Sequence, residues 1–177
     1  MRWLACVLLL VGASAQAQPR YGLPPDAYAV FARWLEATCV GDEALQLREA
    51  LRVRRVLLAP AFRRALADGP SAEQITAVRV AADERYALTA QFPLQVYRVQ
   101  GIAPEDLARF ARPSRQRYVD DQVQRYVTGY RANAIAGLGV VGTAQDRATL
   151  ARIARGGDGL AAAAAAAAAE LQAAAPR

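Results

Sequence analysis

The chain has 177 residues, 54% of them apolar, and a net charge of +6; all 22 basic side chains are arginine, because the sequence holds neither lysine nor histidine. That composition excludes Ser-His-Asp and Cys-His nucleophiles, the commonest zinc ligand, Schiff-base chemistry and a lysine-bearing phosphate loop. Only carboxylate chemistry is left to a catalyst, so a non-catalytic role without cofactor or metal is the expectation.

Met1 and Arg2, the apolar run from Trp3 to Val11 and the small residues from Gly12 to Ala17 have the three parts of an export signal. The apolar run is too short for a membrane span, which needs about twenty residues. Residues 1–17 are therefore expected to be a cleaved leader, and the protein to be periplasmic or secreted. Removing the leader takes Cys6 and leaves Cys39 as the single thiol, so no internal disulfide is expected. Cys39 follows Tyr28, Phe31 and Leu35 at helical spacing and reads as a buried small hydrophobe, the alternative being an intermolecular bridge or a reactive thiol.

Helices follow in order. Pro24, Pro25 and Asp26 open the first, and Gly41 with Asp42 closes it and opens the next. The second runs from about Glu43 through Leu45, Leu47, Leu51 and Leu58 toward Leu66, with Pro60 expected to kink or divide it. Asp68, Gly69 and Pro70 form a turn. Ser71 with Gln74 has the spacing of a capping box, and Ile75, Val78, Ala82 and Tyr86 continue a helix to about Phe92, where Pro93 stops it. Residues 94–101 read as an extended linker in preference to a lone strand, which would have nothing to pair with. A short helix then opens at Pro104, with Glu105 and Asp106 suiting its positive end. Beyond Pro113 and Ser114, Val119, Val123, Tyr126, Val127 and Tyr130 make the clearest amphipathic stripe in the chain.

Tyr130, Arg131, Ala134, Gly137, Leu138 and Gly139 end that stripe. Thr143 and Asp146 then mark a helix start, Leu150 and Ile153 a narrow apolar face, and Gly156, Gly157, Asp158 and Gly159 a break. The nine alanines from Ala161 to Ala169 lead to Leu171, which repeats Leu138 after 33 residues. This pattern resembles bacterial HEAT-like repeats over about residues 118–172. The resemblance implies an all-α stack of helical hairpins, a solenoid fragment whose remaining layers come from an N-terminal helical cap. The organisation expected is a helical region at 18–112 and HEAT-like repeats at 113–177, within one continuous domain over 18–172. Alanine combines the highest helix propensity with little bulk, so the tract is expected to lie close against a partner helix; the alternative is a loosely attached low-complexity helix.

Gly137, Gly139 and Gly142 match G-x-G-x-x-G, but a helix, not a strand, precedes them, so they read as helix-end and interhelix turn residues. The acidic pairs Asp83/Glu84, Glu105/Asp106 and Asp120/Asp121 read as solvated faces or arginine partners. Arginines cluster at Arg48, Arg52, Arg54, Arg55, Arg63 and Arg64, and again at Arg109, Arg112, Arg115 and Arg117.

The expected function is an exported helical scaffold that binds another envelope protein. Arg109, Arg112, Arg115, Arg117 and Tyr118 are the candidate partner-binding residues, as an aromatic and guanidinium patch; in the other reading the tyrosines belong to the core stripe and its rim. A second function is an envelope-surface module whose arginines hold anionic lipid or polymer by weak membrane-surface contact. Export argues against a nucleic-acid partner. The HEAT-like bilin lyases offer an enzymatic precedent for the architecture, but no ligand-contact motif of theirs stands in this sequence.

Overall fold

A computed structural model describes residues 20–36, 42–90, 113–157 and 159–173. Outside them lie the expected leader at 1–17, Cys39, Gly41, the helix end expected at Phe92 and Pro93, the linker expected at 94–101, the short helix expected at Pro104 with Glu105 and Asp106, the candidate residues Arg109 and Arg112, and Asp158. Among the described residues there are seven helices and no strand: α1 Pro25–Glu36, α2 Asp42–Val53, α3 Arg55–Asp68, α4 Ala72–Ala90, α5 Arg115–Val141, α6 Ala144–Ala154 and α7 Ala161–Ala173. The fold is an all-α helical stack. No described helix is long and apolar enough to cross a membrane.

The chain groups into two compact units, one made of residues up to Ser71 together with those from Val127 onward, the other of Ala72–Tyr126. In the first unit, α1 buries Ala27, Phe31 and Leu35, one face at a spacing of four. Phe31 is the centre of an aromatic cluster, with the Tyr21 ring 4.7 Å away edge-on and the Phe62 ring of α3 at 4.9 Å. Such pairs contribute about 0.5–1.5 kcal/mol each beyond the area they bury. The end of α1 is tied to α5 by a reciprocal pair of bonds. Trp34 Nε1 donates to the Asn133 carbonyl at 2.7 Å, and Asn133 Nδ2 donates to the Leu35 carbonyl at 3.0 Å, an acceptor that the helix terminus leaves without an intrahelical donor.

The run from Glu43 toward Leu66 is divided, but at Arg54 and not at Pro60. Pro60 lies inside α3 on its exposed side, and Arg54, with φ −105° and ψ 17°, is the corner between α2 and α3. A proline removes only its own N–H and crowds the carbonyl four residues back. The corner instead leaves Leu51 at the end of α2 and Leu58, Ala59, Ala61, Phe62 and Ala65 of α3 all buried. Gly69 ends α3 with φ 71°, a left-handed value that glycine adopts without a Cβ clash, and its N–H bonds the Ala65 carbonyl at 3.0 Å.

The alanine tract belongs to the stack. Ala164, Ala167 and Leu171 of α7 are buried, α7 packs on α6 as a hairpin, and a Cβ built on Gly139 of α5 would stand 2.9 Å from Ala167 Cα. A Cβ on Gly137 would likewise meet the Phe62 ring at 2.5 Å. Gly137 and Gly139 are thus not turn residues, as their spacing had suggested; they sit within α5 where neighbouring helices press closest. Gly142 alone stands at the helix end, its N–H on the Leu138 carbonyl at 2.8 Å.

In the second unit, Ile75, Val78, Ala82 and Tyr86 form the less exposed face of α4, and Val119 of α5 is buried. Charges lace the two helices. Arg115 pairs with both carboxylate oxygens of Asp83, and Arg79 lies 3.4 Å from Asp120. Asp83 and Asp120 are therefore arginine partners, one of the two readings their sequence allowed.

Candidate binding groove

The clearest site in the first unit starts from a capping residue. Thr143 precedes α6, and three positions later the Asp146 carboxylate accepts the Thr143 backbone N–H at 2.7 Å and its hydroxyl at 3.1 Å, which closes a capping box. The same carboxylate then takes a two-pronged contact from α3: Arg63 Nε donates to Oδ1 at 2.6 Å and Nη2 to Oδ2 at 2.8 Å. Asp146 is only 4% exposed, the one buried charged side chain among the described residues. Burial by itself would raise its carboxyl; the Arg63 guanidinium and the Thr143 donors outweigh that and hold it below the usual aspartate value. A fork-to-fork pair of this kind fixes geometry as well as charge. It sets the register of α3 against α6.

Above this pair the two helices leave a groove of about 360 Å³. Its apolar lining is Leu66 and Ala67 from α3, Leu138 from α5 and Ile153 from α6, and Gln145, Thr149 and Arg152 add polar groups along the α6 side. The Arg152 side chain is exposed and has no ion-pair partner among the described residues, whereas the charge of Arg63 is balanced by Asp146. The groove therefore offers an apolar floor and, among the described residues, one cation that no carboxylate balances. It suits a segment with apolar side chains and a carboxylate; it contains no pair of convergent acid and base groups. Among the described residues no cluster of potential metal ligands occurs.

The residues singled out from the sequence lie elsewhere. Arg115, Arg117 and Tyr118 are on the first turn of α5, in the second unit. Arg115 is engaged by Asp83, and its guanidinium holds the Asp83 carboxyl below the usual range. The Tyr118 ring is half-buried against Tyr86, with centroids 5.5 Å apart, while Arg117 points to solvent. Tyr130 is buried and shares a 2.7 Å hydroxyl contact with Tyr21 in the first unit. Beside Arg115, a cleft of about 600 Å³ opens between Arg79, Val80, Asp83, Glu84, Gln116 and Val119, with Arg115 paired to Asp83 inside it and Arg79 to Asp120 outside it.

The sequence reading missed the groove because Arg63 and Asp146 are 83 positions apart. One signal for it was present. Residues 51–67 hold five arginines and no acid, an excess that the flanking Glu49 and Asp68 cannot balance and that leaves arginines to pair with carboxylates from other helices.

Compared with protein families, with curated proteins and with solved structures, the chain gives no match. The fold alone defines its class, an all-α stack of helices.

Proposed function

We propose that this protein is an exported, non-catalytic scaffold, HEAT-like in its C-terminal hairpins, that works by binding another envelope protein. The observation that carries this reading is the α3–α6 groove, where an apolar floor lies beside Arg152, whose guanidinium has no ion-pair partner among the described residues. The partner would present a short segment of apolar residues with an acid placed to meet the guanidinium. Burying a few apolar side chains and one charge-assisted bond is the work of an interaction site, and the other two charged groups in the groove, Arg63 and Asp146, are already engaged with each other and with Thr143. The missing histidine and lysine support the same reading from the side of composition.

A photo-crosslinking amino acid at Thr149, in the native host, tests it. One discrete adduct is expected, joined to Thr149 through a segment that carries both apolar and acidic residues, and Arg152→Glu abolishes it. Adducts that are diffuse, or that persist unchanged in Arg152→Glu, would show that the groove is not the docking site.

A further inference from the structure

The corner between α2 and α3 has properties that neither the fold nor the groove accounts for. Val53, Val56 and Leu57 are 74%, 83% and 50% exposed within five consecutive positions. Single exposed aliphatics are ordinary, but three at one helix junction make a patch. None of them lines the groove. They project outward from the junction.

The charge within this stretch of the sequence is one-sided. Arg52, Arg54 and Arg55 are interleaved with these aliphatics and no acid stands in that stretch of sequence. Arg54 is partly folded back onto the Ala50 carbonyl at 3.4 Å, and its ion pair with Asp26 at 3.3 Å and that of Arg52 with Glu49 at 3.4 Å are exposed contacts that salt and competing anions screen readily. Arg55 has no ion-pair partner among the described residues.

We propose that this corner inserts Val53, Val56 and Leu57 among the headgroups of an anionic phospholipid bilayer while Arg52, Arg54 and Arg55 meet the lipid phosphates. Branched aliphatic tips fit the headgroup and acyl boundary, and arginine stems lie along apolar surface with their heads at phosphate level. A protein partner fits less well. Three projecting side chains cover far less than the roughly 800 Å² that a stable interface takes from each partner, and aromatic anchors, which such interfaces favour, are missing from the junction. A bilayer needs no matching shape. The proposal is independent of the groove, whose crosslink at Thr149 reports on a different surface.

Flotation of the whole protein with two kinds of vesicle tests it, one of phosphatidylglycerol mixed with phosphatidylcholine, the other of phosphatidylcholine alone. Binding is expected only to the anionic vesicles and weakens steeply as salt is raised. Val56→Ser with Leu57→Ser, and separately Arg55→Glu, each lower affinity about tenfold, whereas Arg85→Glu, the same charge change at an exposed position of α4, alters it less than about twofold. All four positions are exposed, so the variants keep the wild-type circular dichroism. Val56→Trp is expected to add a blue-shifted emission component on anionic vesicles. Equal binding to both vesicles, no binding, or an unchanged Val56→Ser/Leu57→Ser variant would overturn the proposal. A dimer in sedimentation that this double variant dissolves would also overturn it, by assigning the corner to a second copy of the chain.

Discussion

Asp146 concentrates at one residue the problem of keeping a charge away from water. Its carboxylate accepts four hydrogen bonds, two from Arg63 and two from Thr143, and those donors reverse the rise that burial would produce. A carboxyl whose folded value is depressed adds stability that is fully present above its unfolded value and is lost as pH falls through the folded one. The window for Asp146 therefore lies below about pH 4, where an ordinary aspartate begins to take up a proton. Asp146→Asn is expected to cost about 2–4 kcal/mol at neutral pH, toward the low side for a broken buried pair because the Arg63 side chain is 41% exposed and keeps part of its hydration. Urea unfolding across pH 2–7 checks both parts. The wild type loses its advantage over Asp146→Asn as the medium becomes acidic; a constant gap between the two curves would mean that the carboxylate charge is not what links α3 to α6.

At the level of elements, α5 carries three glycines in three different environments. A Cβ on Gly129 meets nothing within 4 Å, one on Gly137 runs into the Phe62 ring, and one on Gly139 meets the backbone of α7 at Ala167. Glycine costs a helix interior about 1 kcal/mol relative to alanine, so Gly129→Ala is expected to stabilise the protein by ~0.5–1 kcal/mol. Gly139→Ala gains the same propensity term but must push two helices apart. Overpacking of this kind costs about 1–3 kcal/mol, and the net change is expected to be destabilising. Thermal unfolding of the two variants moves in opposite directions; parallel shifts would show that α7 yields freely and is not held against α5.

The same helices show how much of the fold was readable and where reading stopped. Elements announced by local chemistry were visible in the sequence: the start at Pro25, the stripe from Val119 to Tyr130, the Thr143–Asp146 box and the break after Ala154. So was the close packing of the alanine tract, because nine small residues can neither fill a core nor keep a neighbour at a distance. The corner at Arg54 was not, since no glycine or proline marks it; it is set by which of Leu51, Leu58 and Phe62 the core accepts. The roles of Gly137 and Gly139 were misread for a related reason. A helical glycine beside a neighbouring helix and a glycine at a helix end look alike until the neighbour is known. Of the candidate site residues, Arg115 and Tyr118 were read as binding residues for another protein; their contacts within the chain, Asp83 and Tyr86, come from another helix and could not be read locally, and the groove depends on a pairing that no local pattern encodes.

For the molecule as a whole, the order of the chain matters more than any one contact. The first unit is built from two separate stretches, with Ala72–Tyr126 between them in sequence. Its ties cross that interval: Trp34 to Asn133, Arg63 to Asp146, Arg48 to Glu170, and Phe62 against Gly137. Within α1–α3 alone, the faces carrying Phe62, Ala65 and Leu35 have no complete cover, and short helices are marginal in water unless tertiary packing holds them. A chain ending at Tyr126 is therefore expected to lose the helical signal of α1–α3 in addition to that of the deleted segment. Trp34 is the one tryptophan besides Trp3, and its indole would lose the Asn133 carbonyl and emit as a solvent-exposed side chain. Restoring residues 127–177 as a separate polypeptide should recover both signals in proportion to the amount added, because the missing layers are supplied by association instead of by the chain's return. Retention of native Trp34 emission by the truncated chain would locate a self-sufficient core within the N-terminal helices and make the C-terminal hairpin an addition to it.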